Sequence, residues 1–598
     1  KNYTMPTSGA STDIPDTDSN WSAFNTDFTN LLNGNNISTS AGVEIAGTIT
    51  ASGLVKIDAN SIEFANTGLI KTSNMGGVEL LANTGGIQGS DSVNIDAAGN
   101  ITLTSKGGNI GSTNALKYKS GGTLSASAEN GSISIASSGA NAQLGNITAK
   151  NGISISSDKG IMQTDSSVIK NTSSGVVSLA NTSNDSVTLK NVSNSSGNIE
   201  VQSSGDVLLN GLLQVTAGDV QIQSQNGNVL FANNAQTSAA GDITVSSGKN
   251  IELGGSYAGK NLSFTAAQNI DGSASSMTAD SLALAATSGS IGSSSALALA
   301  GTISEISAEA ASNINITKTG DLNLKTVSAG GNAALANTGS GNVKISDSVS
   351  GNTVNIVSTG AIQHTGSGRA VNASGDITLN SAGTISGADA SSNFNVNSTN
   401  GKVNITSGGA VMLGTSGSDA VKLGNISVSG SDFDYSGNDV KIDGNITADN
   451  VNFTNINSFT QNANTTVTAS TGNIVVDTAG NAVLNGLLQA TSGNVKVNAS
   501  NITSNSSNAI TASTIELVAT NSIGSESSAL NFTATGSVNA QSGTGMNLNS
   551  ASAVTFGDLL NTSSGNIKVS AGGNAQFAKV TNTNGNITIS STGSAALS

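Results

Sequence analysis

The sequence predicts an all-β fold, a parallel β-solenoid entered through a short N-terminal capping helix. The first observation behind this is a recurring phrase: Gly, then Asn or Asp, then an apolar, polar, apolar triplet, as in GNITL at 99, GDITV at 241, GDITL at 375, GNIVV at 472 and GNIKV at 565. A Gly-Asn or Gly-Asp turn leading into alternating β-branched residues reads as a corner followed by a short strand. The second observation is spacing. Glycines at 197, 205, 218, 227 and 241 come at uneven steps, yet every second one falls roughly 22 residues on, which suits one coil of two or three strands better than a hairpin ladder. The third is composition: 36% hydrophobic residues supply a core, while 10% charged and 3% aromatic residues argue against helical bundles and charged disorder.

Residues 1–20 read as an extension that holds both prolines, Pro6 and Pro15. In residues 21–33, Trp21, Phe24, Phe28, Leu31 and Leu32 share one helical face, with Asp18 or Ser19 as cap and Gly34 as stop. Such a helix is expected to cover the first coil and block edge pairing. From 34 to 598 the chain reads as a continuous solenoid of roughly 22-residue coils, about 25 of them, on the order of 120 Å long at about 4.8 Å per coil. Val, Ile and Leu are expected to point inward in ladders, with Ser, Thr and Asn outward and Gly at the corners. Leu209 is placed inward and Thr244 outward on this pattern.

Larger blocks recur as well. GNIEVQSSGDVLLNGLLQVTAGDVQIQ (197–223) returns as GNIVVDTAGNAVLNGLLQATSGNVKVN (472–498) with its glycines in register. A second phrase occurs three times, as GNIGSTNAL (108–116), GSIGSSSAL (289–297) and NSIGSESSAL (521–530). Growth by copying coils explains both.

The blocks GNIGSTNALKYKSGGTLSASAENGSISI (108–135) and GDLNLKTVSAGGNAAL (320–335) resemble the repeats of filamentous haemagglutinin-type large exoproteins. The resemblance covers roughly residues 43–598 and implies a right-handed parallel β-helix, secreted and displayed at a cell surface. The Asn-Pro-Asn signature of that family's two-partner secretion domain is absent from this sequence.

Several partner classes are disfavoured by composition. A formal net charge of -15, with Arg369 the only arginine and no polybasic run, disfavours nucleic acid and anionic lipid. No run of 18 apolar residues exists to insert in a membrane, and the absence of cysteine rules out disulfides and thiolate metal sites.

Because many β-solenoids cleave polysaccharides, the acidic and basic residues were weighed for catalysis. The densest acidic group, SDFDYSGNDVKIDG, holds Asp432, Asp434, Asp439 and Asp443. Asp432 and Asp434 could share a strand face and bind calcium or a sugar, but the group lacks the calcium-loop pattern and reads better as a solvated bulge. The only histidine, His364, lies five residues before Arg369 with no carboxylate in its segment, and both fit an exposed corner. Asn-x-Ser/Thr sequences such as those at Asn100, Asn146 and Asn445 coincide with the corner phrase and read as its by-product. No cofactor is expected, calcium at the four aspartates being the one candidate.

The functional expectation is a secreted, non-enzymatic surface protein with a structural and adhesive role, holding host or matrix glycans by many weak contacts. The alternatives are a self-polymerising filament, sheath or surface-layer subunit and, behind it, a polysaccharide lyase or hydrolase. The final GNITISSTGSAALS has no capping feature, so its coil is expected to meet a continuation of the chain or another copy.

Overall fold

Alternation of inward apolar and outward polar residues builds the core coil by coil. The computed structural model describes residues 28–31, 36–273, 275–416 and 420–597, and these contain strands, turns and no helix. They form a parallel β-solenoid of about 27 turns. The chain divides into two compact units, Lys1–Glu305 and Ile306–Ser598.

In the first unit, Ile133, Ile153, Val177, Ile199, Val220, Ile243, Leu262 and Leu282 are register partners on successive coils. None is more than 1% exposed. β-Branched side chains fit this stacking because each lies over its equivalent on a pleated surface, and each buried one stabilises by about 1.5–3 kcal/mol. The strands end in buried serines that close the corner. Ser224 Oγ donates to the Gly205 carbonyl at 2.7 Å and Ser247 Oγ to that of Gly227 at 2.9 Å, satisfying carbonyls that the turn takes out of the ladder.

In the second unit one column runs Val343, Ile362, Ile385, Val411, Phe433, Val451, Ile474 and Val495. Phenylalanine enters such columns in groups. Phe453 packs against Phe433 at 6.0 Å and Phe459 at 5.0 Å between ring centroids, edge to face, the arrangement that ring quadrupoles favour.

The thrice-repeated phrase takes one conformation three times. Ile110, Ile291 and Ile523 are fully buried, and the glycine after each has φ of +64°, +69° and +66°. That left-handed turn throws residues 112–114, 293–295 and 525–527 into solvent before the chain re-enters as Leu116–Ser120, Leu297–Ala300 and Leu530–Ala534. A side chain at Gly111 would also collide with the Ser134 carbonyl, 2.2 Å from its Cβ.

The expected helix over 21–33 does not extend through its second half. Phe28–Leu31 is a strand, paired in parallel with Thr48–Ala51 through Phe28 with Ile49 and Leu31 with Ala51. An open coil edge offers these residues backbone partners that a helix would leave unpaired, and this overrides the local helical spacing. Trp21, Phe24 and Leu32 lie outside the described residues.

Candidate functional surface

The Asn or Asp of the corner phrase links one coil to the next. Its side-chain oxygen accepts the backbone N–H of the equivalent residue one coil on: Asp432 from Asn450 at 3.1 Å, Asn450 from Asn473 at 2.8 Å and Asn473 from Asn494 at 2.9 Å. The first unit repeats this, with Asn198 accepting from Asp219 at 3.0 Å and Asp219 from Asp242 at 2.8 Å. Asn100, Asn146 and Asn445 do the same, taking the N–H of Thr123, Val168 and Thr466. Their Asn-x-Thr sequences therefore arise from a hydrogen-bonded ladder. Sequence reading saw these residues only as turn formers, because the N–H each one accepts lies a full coil away; Asp432 and Asn450 join the ladder without a preceding Gly.

The four candidate aspartates are drawn into the same construction. Asp432 belongs to the ladder and also accepts the Asn450 amide at 2.8 Å, Asp434 takes the Asn452 amide at 2.7 Å, and Asp439 takes the Ser458 hydroxyl at 2.7 Å. Asp443 accepts the Asn462 amide and pairs with Lys402 at 3.3 Å and Lys441 at 3.8 Å. The four are spread along separate corners and strands instead of converging. Among the described residues no group of three or more His, Asp or Glu is placed to hold a metal ion. Beside them Tyr435 is fully buried, and burial pushes its hydroxyl up to about 12, partly offset by its contact with Thr415.

His364 is not at an exposed corner. It is 2% exposed, inward on the strand Ile362–His364, in register with Ile345 and edge-on to Phe394 at 6.4 Å. Its Nε2 lies 3.0 Å from the Asp347 carbonyl. Period-2 alternation from Ile362 carries it inward, and the carbonyl contact makes an imidazole tolerable there. Arg369 is half-buried and donates to the Ser416 carbonyl at 3.4 Å.

Two shallow grooves on the described surface mix polar and apolar groups. A groove of about 360 Å³ in the first unit is lined by Asn233, Asn234, Gln236 and Ser256. One of about 260 Å³ in the second is lined by Asn473, Asn494, Thr514 and Asn539 around the Lys496–Glu516 ion pair of 2.9 Å. Every Phe and Tyr side chain described is buried, none above 3% exposed. The described surface therefore presents no Phe or Tyr ring face to a ligand. No helix among the described residues is long and apolar enough to cross a membrane. No protein-family model, curated protein or solved structure matches the chain.

Proposed function

We propose that the chain is a non-enzymatic, secreted cell-surface solenoid with a structural and adhesive role, of the filamentous haemagglutinin type. Right-handed winding, the sense that parallel crossovers take in almost all cases, belongs to the same proposal. The observation that carries it is the outward face, where Ser154, Ser178, Glu200, Gln221, Thr244 and Ser263 are register partners on successive coils. Polar groups repeated at the coil pitch suit many weak contacts with one extended glycan or a crowded surface, and linked contacts multiply into avidity. The use of the aspartates in coil-to-coil bonds and of His364 in the core supports binding over hydrolysis, since glycoside cleavage needs two carboxylates facing one bond.

Binding of the purified chain to glycans immobilised at graded density tests this reading. Apparent affinity that climbs steeply with density is expected. Release of cleaved sugar, or affinity independent of density, would overturn it.

A further inference from the structure

One strand-end column of the second unit holds a residue unlike its neighbours. Lys318, Asn337, Ser358, Ser381 and Ser407 take the last inward position of successive strands, and all five are buried. The serines suit that place, because their hydroxyls satisfy corner carbonyls: Ser358 that of Ala361 at 2.9 Å, Ser381 that of Gly360 at 2.7 Å and Ser407 that of Gly383 at 2.8 Å. Lys318 is the exception. It is 4% exposed, the only buried lysine among the described residues, and its Nζ donates to the Thr319 carbonyl at 2.8 Å. Burial holds the amine below its usual pKa, and the charge of Asp321 offsets part of that.

Asn337 is the register partner of Lys318 on the next coil, about 4.8 Å away at the coil pitch. It is 2% exposed. Its Oδ1 accepts the Thr359 N–H at 2.8 Å, while its Nδ2 is buried with no hydrogen-bond partner. A buried amide donor left unpaired and a buried ammonium are each costly. Here the two are neighbours.

We propose that Lys318 and Asn337 join their side chains in a spontaneous isopeptide bond that ties the two coils together. The neutral Lys318 nitrogen adds to Cγ of Asn337, the Cγ–Nδ2 bond breaks, and a proton from the attacking nitrogen goes with Nδ2, which departs as ammonia. Amine and amide become a new amide and ammonia, so no oxidant, reductant or cofactor is needed. Register pairing makes the encounter intramolecular. The Thr359 N–H already sits on the oxygen that gains charge as nitrogen adds, and the dry strand end keeps water from competing for Cγ. The group that must leave, Nδ2, is held by no hydrogen bond. Reaction removes both buried costs, the unpaired donor and the ammonium. In a chain without cysteine it supplies a covalent rung that no disulfide can, and it holds whether or not the solenoid is adhesive.

The test is the intact mass of the full chain after incubation at neutral pH, followed by denaturation and tryptic mapping. The wild-type chain is expected to be lighter than its sequence by one ammonia, to resist trypsin after Lys318, and to yield a branched peptide that contains both Lys318 and Asn337. Lys318→Met keeps the stem without the amine, and Asn337→Ser installs the serine that the following coils use. Both variants should keep the full sequence mass, with their β signal in circular dichroism showing that they fold. A folded wild-type chain at full sequence mass, with Lys318 open to trypsin, would overturn the proposal. So would an ammonia loss that persists in both variants, or one that maps to a succinimide at an Asn-Gly step such as Asn400-Gly401.

Discussion

The phrase VLLNGLLQV in the first unit and its copy AVLNGLLQA in the second bury the same positions and form different strands. Val207, Leu209, Leu213 and Val215 are at most 3% exposed, and their counterparts Ala482, Leu484, Leu488 and Ala490 are fully buried. The first copy is one unbroken strand, Val207–Val215, whereas the second stops at Leu484 and restarts as Leu487–Ala499. The preceding coils differ in the same sense. The first copy lies on the unbroken strand Val187–Asn194, and the second on the separate strands Phe459–Gln461 and Thr466–Ala469. There the buried Gln461 amide donates to the carbonyls of Thr465 and Leu487, both at 3.1 Å, and holds the gap open. What the copied phrase carries is the pattern of burial; where its strands begin and end differs between the copies.

Breaking the shared part should cost most. Leu209→Asp and Leu484→Asp each bury an unpaired carboxylate and should each destabilise their unit by more than about 4 kcal/mol, read as loss of protease resistance or as a lowered denaturation midpoint. The outward Thr244→Asp should stay within about 0.5 kcal/mol.

Alkali sharpens the comparison through the tyrosines of the two units. Burial pushes Tyr257 well above its usual 10.0 in the first unit and Tyr435 up to about 12 in the second. A folded-state value above the unfolded one gives stability that is present below pH 10 and lost as pH rises through the folded value. For Tyr435 this is on the order of 3 kcal/mol. Tyrosinate absorbance from these two residues should therefore appear together with loss of the β signal, and Tyr435→Phe should flatten the second unit's decline between pH 10 and about 12.

The glycines should come next. An added Cβ at Gly211 would sit 2.1 Å from the Lys190 carbonyl, and at Gly493 1.8 Å from that of Gly472. Alanine at either is expected to cost about 1–3 kcal/mol through displaced backbone, measured by urea unfolding. A smaller loss is assigned to the corner ladder, where Asn473→Ala leaves the Asn494 N–H without its acceptor and should cost about 1 kcal/mol. A loss confined to amides around 472–494 in hydrogen exchange would mark it as a local bond.

Period-2 alternation and the Gly-Asn corner made the solenoid legible, and Leu209 and Thr244 face as that pattern requires. Strand limits were not legible, because two copies of one phrase, with the same positions buried, break their strands differently. Phe28–Leu31 carried a helical spacing that a nearby strand edge outweighed. His364 was misplaced for a different reason: its alternation pointed inward, but its residue type suggested the surface. At the surface, the acidic cluster was visible in sequence, whereas its partners, Asn450, Asn452, Ser458 and Lys402, come from other coils and cannot be seen from spacing alone.

Each coil is held mainly by its immediate neighbours. Hydrogen exchange of Leu209→Asp against the wild-type chain tests it most directly. Deprotection should be strongest in Val187–Asn194 and in Val229–Phe231, the strands that pair with this one, fade over further coils, and leave Leu487–Ala499 as protected as before. Uniform deprotection along the whole chain, or equal loss in the second copy, would contradict it.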